Sequence, residues 1–214
     1  KVLRSNGVSR FAVATVEEAL TLREAGFNET IIILGFVPQE CVDIVIEQRL
    51  TIVVGGLERA GAIANIAGET NDVIDCLVAI DSGMGRIGYR IETPFEKELA
   101  KTEIEEMDEL DGIRIIGMIS HFSTSDEADS SYTDKQLSLF NDFYEELAGC
   151  GISLPMLSIA NSAAIMDYPR THFDAVRPGI IMYGCYPSDE VDKSRLDLEP
   201  VMSVKAYIVH LKTV

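Results

Sequence analysis

Positive charge is scarce in this 214-residue chain: 18 lysines and arginines face 35 aspartates and glutamates, for a formal charge of -17. Such a chain repels a polyanion, and it carries no basic stripe to follow a phosphate backbone, so nucleic acid is excluded as a partner. Paired cysteines are also lacking. Cys41, Cys76, Cys150 and Cys185 are far apart and form no C-x-x-C pair, which argues against a zinc site and a dense disulfide framework and fits a reduced, cytoplasmic compartment. No apolar run reaches the roughly 18 to 20 residues of a spanning helix. The opening residues Lys1 to Gly7 have no long apolar centre of a signal peptide. The expectation is a soluble protein with no membrane partner and no metal.

Hydrophobic residues make up 47% of the chain, enough for a globular core. They fall into short β-branched runs at Phe11 to Ala14, Thr30 to Leu34, Thr51 to Val54, Cys76 to Ile80, Ile113 to Ser120, Met156 to Ala160 and Phe173 to Val176. Between them lie stretches of helical spacing at Glu17 to Ala25, Pro38 to Gln48, Leu57 to Ala67, Phe95 to Glu109 and Gln136 to Ala148. This is a repeated βα unit. Strands apolar on both faces belong to a helix-covered parallel sheet, either open and doubly wound or closed into a barrel. About seven strands, against the eight of a full barrel, describe an incomplete one. Lys1 to Val8 reads as the end of a helix stopped by Gly7, which suggests residues upstream. Residues 1–186 are expected to form the partial barrel. Residues 187–214 are expected to form a linker and then, in the strand-like run Pro200 to Val214, the first strand of a truncated C-terminal β domain.

The stretch Asp81-Ser-Gly-Met-Gly-Arg-Ile-Gly88 spaces its glycines as G-x-G-x-x-G. In a dinucleotide site the last glycine opens a helix, and a carboxylate about 20 residues on ends the next strand. Neither condition is met. Gly88 is followed by Tyr-Arg-Ile-Glu-Thr-Pro94, so the next helix starts near Thr93 or Pro94, and the next strand ends in His121. The strand ends themselves are more informative, because barrel sites are built from the C-terminal ends of several strands. Arg86 follows the fourth strand, His121 the fifth, Asn161 and Ser162 the sixth, and Arg177-Pro-Gly-Ile180 the seventh. With one strand missing upstream, the last two become the seventh and eighth, whose loops frequently bind phosphate. Ser162 at a helix start and the amides near Gly179 and Ile180 then form a plausible phosphate cradle.

At these positions the sequence resembles the bacterial alanine racemases, pyridoxal-phosphate enzymes. The matching stretches are Phe11 to Leu20, Leu34-Gly35, Asp81 to Gly88, Ser120-His-Phe122 with Asp126-Glu127, Asn161 to Ala164, Arg177 to Ile180 and Tyr183-Gly184. The resemblance implies a (β/α)8 TIM-type barrel followed by a β domain, in a cytoplasmic homodimer that interconverts L- and D-alanine and so supplies D-alanine for peptidoglycan. It also implies pyridoxal 5'-phosphate as cofactor. Ser162, Gly179 and Ile180 resemble its phosphate ligands and Asn161 borders them. Arg177 resembles the arginine facing the pyridine nitrogen, His121 the residue that buttresses it, and Arg86 the arginine near the cofactor's phenolic oxygen and the substrate carboxylate. A guanidinium is permanently charged and has no lone pair to offer, so the ring nitrogen is expected to stay unprotonated. That weakens the electron sink and disfavours transamination.

Racemisation needs a base on each face of Cα. In the family these are the cofactor-bearing lysine of an N-terminal segment and a tyrosine of the C-terminal domain of the other subunit. Neither segment is matched within residues 1–214, and Lys1 is not that lysine. The chain by itself is therefore expected to be inactive. Many relatives carry an often carbamylated lysine seven residues before the loop arginine; here Ala79 stands there, leaving open what holds Arg86.

Plainer readings apply to each residue. Arg86 and Arg177 could be surface or structural arginines paired with Asp81 and Asp174. His121 could be a satisfied core histidine, as His172 and His210 are expected to be. Asn161-Ser162 could be an ordinary helix cap, Gly179 a turn glycine and Ile180 core. Asp81 is expected to brace the glycine loop, the acidic runs to be solvated faces and the cysteines to be small buried or half-buried residues. Among functions, the alternatives are racemisation of serine or another small amino acid, a decarboxylase of similar architecture, and a non-catalytic barrel that binds pyridoxal phosphate.

Overall fold

The computed structural model describes residues 1–213. After a short helix α1 (Val2–Ser5), β1 (Arg10–Val13) leads into α2 (Val16–Glu24), β2 (Thr30–Ile33), α3 (Val42–Glu47), β3 (Thr51–Val54), α4 (Leu57–Glu69) and β4 (Ile74–Asp81). A two-residue strand β5 (Tyr89–Arg90) precedes α5 (Pro94–Asp108), β6 (Ile113–Ile119), α6 (Ser131–Gly149), β7 (Leu157–Ser158) and α7 (Ser162–Asp167). The strands pair in the order β1-β2-β3-β4-β6-β7, with β5 on β4. Every pairing is parallel. The result is the curled sheet of an incomplete (β/α) barrel.

Alternation along the strands divides the apolar residues into two layers. Ile31, Ile33, Ile52, Val54, Cys76, Val78 and Ile80 pack outward against the helices. Ile32, Val53, Leu77, Ala79, Ile119 and Met156 pack inward, on the concave face. Both layers are nearly free of solvent, which is why the strands read as unbroken apolar runs. The helix starts follow local rules. Thr93 caps α5 in a reciprocal capping box with Glu96, followed by Pro94 at the first helical position. Thr15 accepts from the Glu18 amide at the start of α2, and Asn161 accepts from the Ala164 amide at the start of α7. Gly7, at φ 85°, closes α1.

Two strand expectations are corrected. Phe173 to Val176 is not a strand: it runs beside β7, but the amides of Asp174 and Ala175 both converge on the Leu157 carbonyl. The Leu157 amide in turn donates to the Asp174 carboxylate at 2.9 Å rather than to a backbone carbonyl. Phe173 is held at φ 39°, which breaks the extended path. The seventh strand is instead β5, beside the glycine loop. Pro200 to Val214 makes no ladder over residues 200–213, where the chain has no neighbouring strand to pair with and stays exposed; Val214 lies outside the described residues. No helix among the described residues is long and apolar enough to cross a membrane.

Candidate active site

Parallel strands bring their C-terminal ends to one rim, and the polar residues collect there. Asp81 ends β4 and is buried. Its Oδ1 accepts from the amides of Gly83 at 3.0 Å and Gly85 at 2.9 Å. Asp81 thus braces the loop, and it forms no ion pair with Arg86 among the described residues. Gly83, Gly85 and Gly88 sit at φ 126°, 73° and 99°, where side chains are strained. The loop that they form bends back instead of opening a helix, so the nucleotide pattern has no anion-binding helix behind it.

Arg86 is exposed at the tip of this loop and lines a cavity of about 350 Å³ with Gly83, Gly85, Gly88 and Glu92. No ion pair or hydrogen bond is formed by its guanidinium among the described residues. Ala79, seven residues earlier, is buried on the concave face among Leu77, Val53 and Ile119.

Arg177 reaches across the rim to the end of β6. Its guanidinium donates to the Ser158 hydroxyl and the Ser120 carbonyl, and to His121 Nδ1 at 3.3 Å. Arginine only donates. Nδ1 must therefore be the acceptor, and the neutral ring carries its proton on Nε2. Burial, then the charges of Arg177 and Arg86, depress the imidazole to about 4. Burial and Arg86 likewise lower Arg177 to about 10, which leaves it charged at neutral pH. Asp174 does not pair with it, its carboxylate being engaged by Leu157. Two cations and a neutral histidine thus share a rim, and neither cation forms an ion pair among the described residues, in a chain that is acidic overall.

At the far side of β7, the Ser162 hydroxyl is buried and accepts from the Gly179 amide at 2.9 Å. This bond ties α7 to the turn Ile180–Tyr183. Ile180 opens that turn, and its own side chain is exposed, so only its amide bears on the cradle. Asn161 is directed elsewhere: Oδ1 accepts from Ser125 Oγ at 2.8 Å and the Ala164 amide at 3.1 Å, while Nδ2 donates to the Phe122 carbonyl at 3.3 Å. It borders the cradle and fastens the loop after β6 to α7.

The donor set fits a phosphorylated aromatic cofactor. A hydroxyl and adjacent turn amides lie at one end, a guanidinium with a neutral imidazole in the middle, and an unpaired guanidinium at the other end. A cavity larger than the one at Arg86 lies elsewhere, about 660 Å³ at the N-terminal strand ends beside Arg10, Thr30, Thr51 and Asp75. The Arg23 guanidinium there commits four of its five N–H groups to backbone carbonyls, a structural use.

Other expectations divide. His172 contacts the Ile165 carbonyl at 3.1 Å, a structural use. Cys76 is buried and its thiol is pushed up to about 12 by burial. Cys150 and Cys185 are exposed, contrary to the expectation for all four cysteines; each lies just past a helix or turn end where nothing packs over it. Sequence reasoning missed Ser82, Ser120, Ser158, Tyr132 and Gln136. The three serines stand at or next to strand ends, where their place on the rim was the available signal. Tyr132 and Gln136 lie on a helix with no such cue.

A curled parallel α/β sheet with guanidinium and hydroxyl groups on its C-terminal rim defines an α/β-barrel domain. By sequence the chain belongs to the alanine racemase family: residues 1–187 match the alanine racemase N-terminal domain. It is 44% identical over 211 residues to alanine racemase 1 of Clostridium acetobutylicum, covering 99% of this chain and 53% of that protein. An alanine racemase structure from Clostridium difficile 630, in complex with cycloserine, superposes with a TM-score of 0.88 at 38% identity over 93% of this chain and 53% of that one. A histidine racemase from Leuconostoc mesenteroides superposes with a TM-score of 0.82 at 26% identity over 93% of this chain and 52% of that one. The chain therefore spans about half the length of these relatives.

Proposed function

We propose that residues 1–186 are the barrel portion of an alanine racemase, and that residues 187–214 lead into a second domain. In this reading the whole protein interconverts L- and D-alanine as a cytoplasmic homodimer with pyridoxal 5'-phosphate. Bound cofactor makes the amino acid Cα–H acidic by accepting electron density.

The protein's own residues do the rest. The Ser162 hydroxyl and the amides of Gly179 and Ile180 hold the phosphate, with Asn161 keeping α7 and the β6 loop in register beside it. Arg177 faces the pyridine nitrogen, to which it can donate but from which it cannot take a proton. His121, neutral through Nδ1, holds that guanidinium without neutralising its charge, as a carboxylate would. Arg86 reaches the phenolic oxygen and the carboxylate of alanine, giving the substrate a charge-assisted anchor. The two groups that remove and return the proton are assigned to a lysine and a tyrosine outside residues 1–214, so this chain alone leaves Cα–H in place.

The observation that carries the reading is the contact of Arg177 with His121 at 3.3 Å, free of any carboxylate. An acid on the pyridine nitrogen would have favoured decarboxylase or transaminase chemistry, because it protonates the ring and deepens the electron sink. The test is to join the chain to the flanking segments of its gene, load the cofactor and follow the optical rotation of L-alanine. Decay to zero rotation supports the reading, and a stable signal from cofactor-loaded protein ends it. Serine and histidine run in parallel show whether the substrate is another amino acid.

A further inference from the structure

Gln136 stands on the buried face of α6 among Thr133, Leu137, Phe140 and Phe143, and is itself fully buried. An apolar residue would cost less there, yet the carboxamide is bonded on every side. Its Oε1 accepts from the Ser123 amide at 3.0 Å and Ser123 Oγ at 3.1 Å. An amide N–H only donates, which fixes the orientation of the carboxamide. Its Nε2 then donates to the His121 carbonyl at 3.2 Å and, more weakly, toward Ser82 Oγ at 3.5 Å. Ser82 Oγ meets Ser120 Oγ at 3.0 Å, and the Ser120 carbonyl is the acceptor of Arg177. One turn before Gln136, the Tyr132 hydroxyl donates to the Gly83 carbonyl at 2.8 Å. A single helix thus grips the loops after β4 and β6 together.

We propose that Gln136 is a positioning residue of this site: by holding the His121 carbonyl and the amide and hydroxyl of Ser123, it sets the imidazole against Arg177. The proposal takes its functional meaning from the racemase reading, but it rests on contacts that need no cofactor. Gln136 touches neither Arg177 nor Arg86 among the described hydrogen bonds. The charges that face His121 are those two arginines.

The test is nitrogen-resolved NMR of the His121 ring in the 214-residue chain. The parent ring is expected to stay neutral down to about pH 4, with its proton on Nε2. Gln136→Met keeps the length and removes every donor and acceptor. It is expected to raise the His121 midpoint by about one unit or more and to mix the two neutral tautomers. Tyr132→Phe, which releases only the β4 loop, is expected to change neither.

If Gln136→Met does not fold, Gln136→Leu replaces it: the side chain keeps similar volume and can neither donate to the His121 carbonyl nor accept from Ser123. Mixed tautomers in that folded variant at neutral pH support the proposal. A folded Gln136→Met or Gln136→Leu chain whose His121 keeps the parent tautomer overturns it. Failure of the chain joined to its flanking segments to racemise alanine, with cofactor bound, would remove the racemase reading while leaving this result standing.

Discussion

Arg177 donates to His121 Nδ1 across a 3.3 Å contact that spans 56 residues of sequence, and the pair places a permanent cation beside a histidine kept neutral. Neither residue has a carboxylate partner among the described contacts. The polarity of the rim depends on this pair, because an acid in place of His121 would neutralise the guanidinium.

A pH dependence of stability follows. His121 sits at about 4 in the fold against 6.5 for a free imidazole. Above the free value both folded and unfolded chains hold the ring neutral. Between the two values only the unfolded chain takes up the proton, so stability falls as pH drops through that window, by at most about 3 kcal/mol. Urea melts from pH 7.5 to 4 should show this slope, and a His121→Gln chain should have a flatter one.

Replacing Arg177 with lysine keeps the charge and loses the planar fork that reaches Ser158, Ser120 and His121 at once. Cofactor affinity should fall by about tenfold to a hundredfold, the cost of a lost charge-assisted contact. Absorbance titration with pyridoxal phosphate reads it directly, and unchanged binding would place the ring elsewhere.

Ser162→Ala removes the hydroxyl that accepts from Gly179 at 2.9 Å. If this is the phosphate cradle, affinity for pyridoxal phosphate drops by about tenfold. Affinity for pyridoxal, which has no phosphate, stays within error. Equal losses for the two compounds would assign Ser162 a purely structural role.

The glycine loop separates strain from crowding. A methyl on Gly85, at φ 73°, meets nothing within 4 Å, whereas one on Gly88, at φ 99°, meets the Ala79 carbonyl oxygen at 2.4 Å and carbon at 2.5 Å. Gly85→Ala should cost about 1 kcal/mol from its backbone conformation alone. Gly88→Ala should cost at least about 2 kcal/mol more, because β4 itself must move. Thermal melts of the two variants check the order.

Much of the barrel was legible because local rules and tertiary packing agree along it. Thr51 to Val54 is β3 to the residue, and α5 starts at Pro94, one of the two positions expected from the sequence. Phe173 to Val176 was misread since its composition suits a strand, while the positive φ of Phe173 and the competing Asp174 carboxylate act only in the folded chain. The rim residues Arg86, His121, Ser162 and Arg177 stood out by following strands. Asn161 was read as a neighbour of the cradle, and its clamp on Phe122 and Ser125 emerged only from the fold.

The sequence by itself determined the alternation of strand and helix, the failure of the glycine pattern as a nucleotide site, and the set of polar residues that follow strand ends. Each of these depends on spacing and side-chain chemistry within a few residues of chain. Only the tertiary structure decided which of those residues meet. The tertiary fold freed Arg86 by turning Asp81 inward to the loop amides. It also brought Gln136 from the middle of a helix to the carbonyl of His121. Hydrogen bonds depend on distances between elements far apart in sequence, and those distances exist only once the strands are parallel and the helices packed on them.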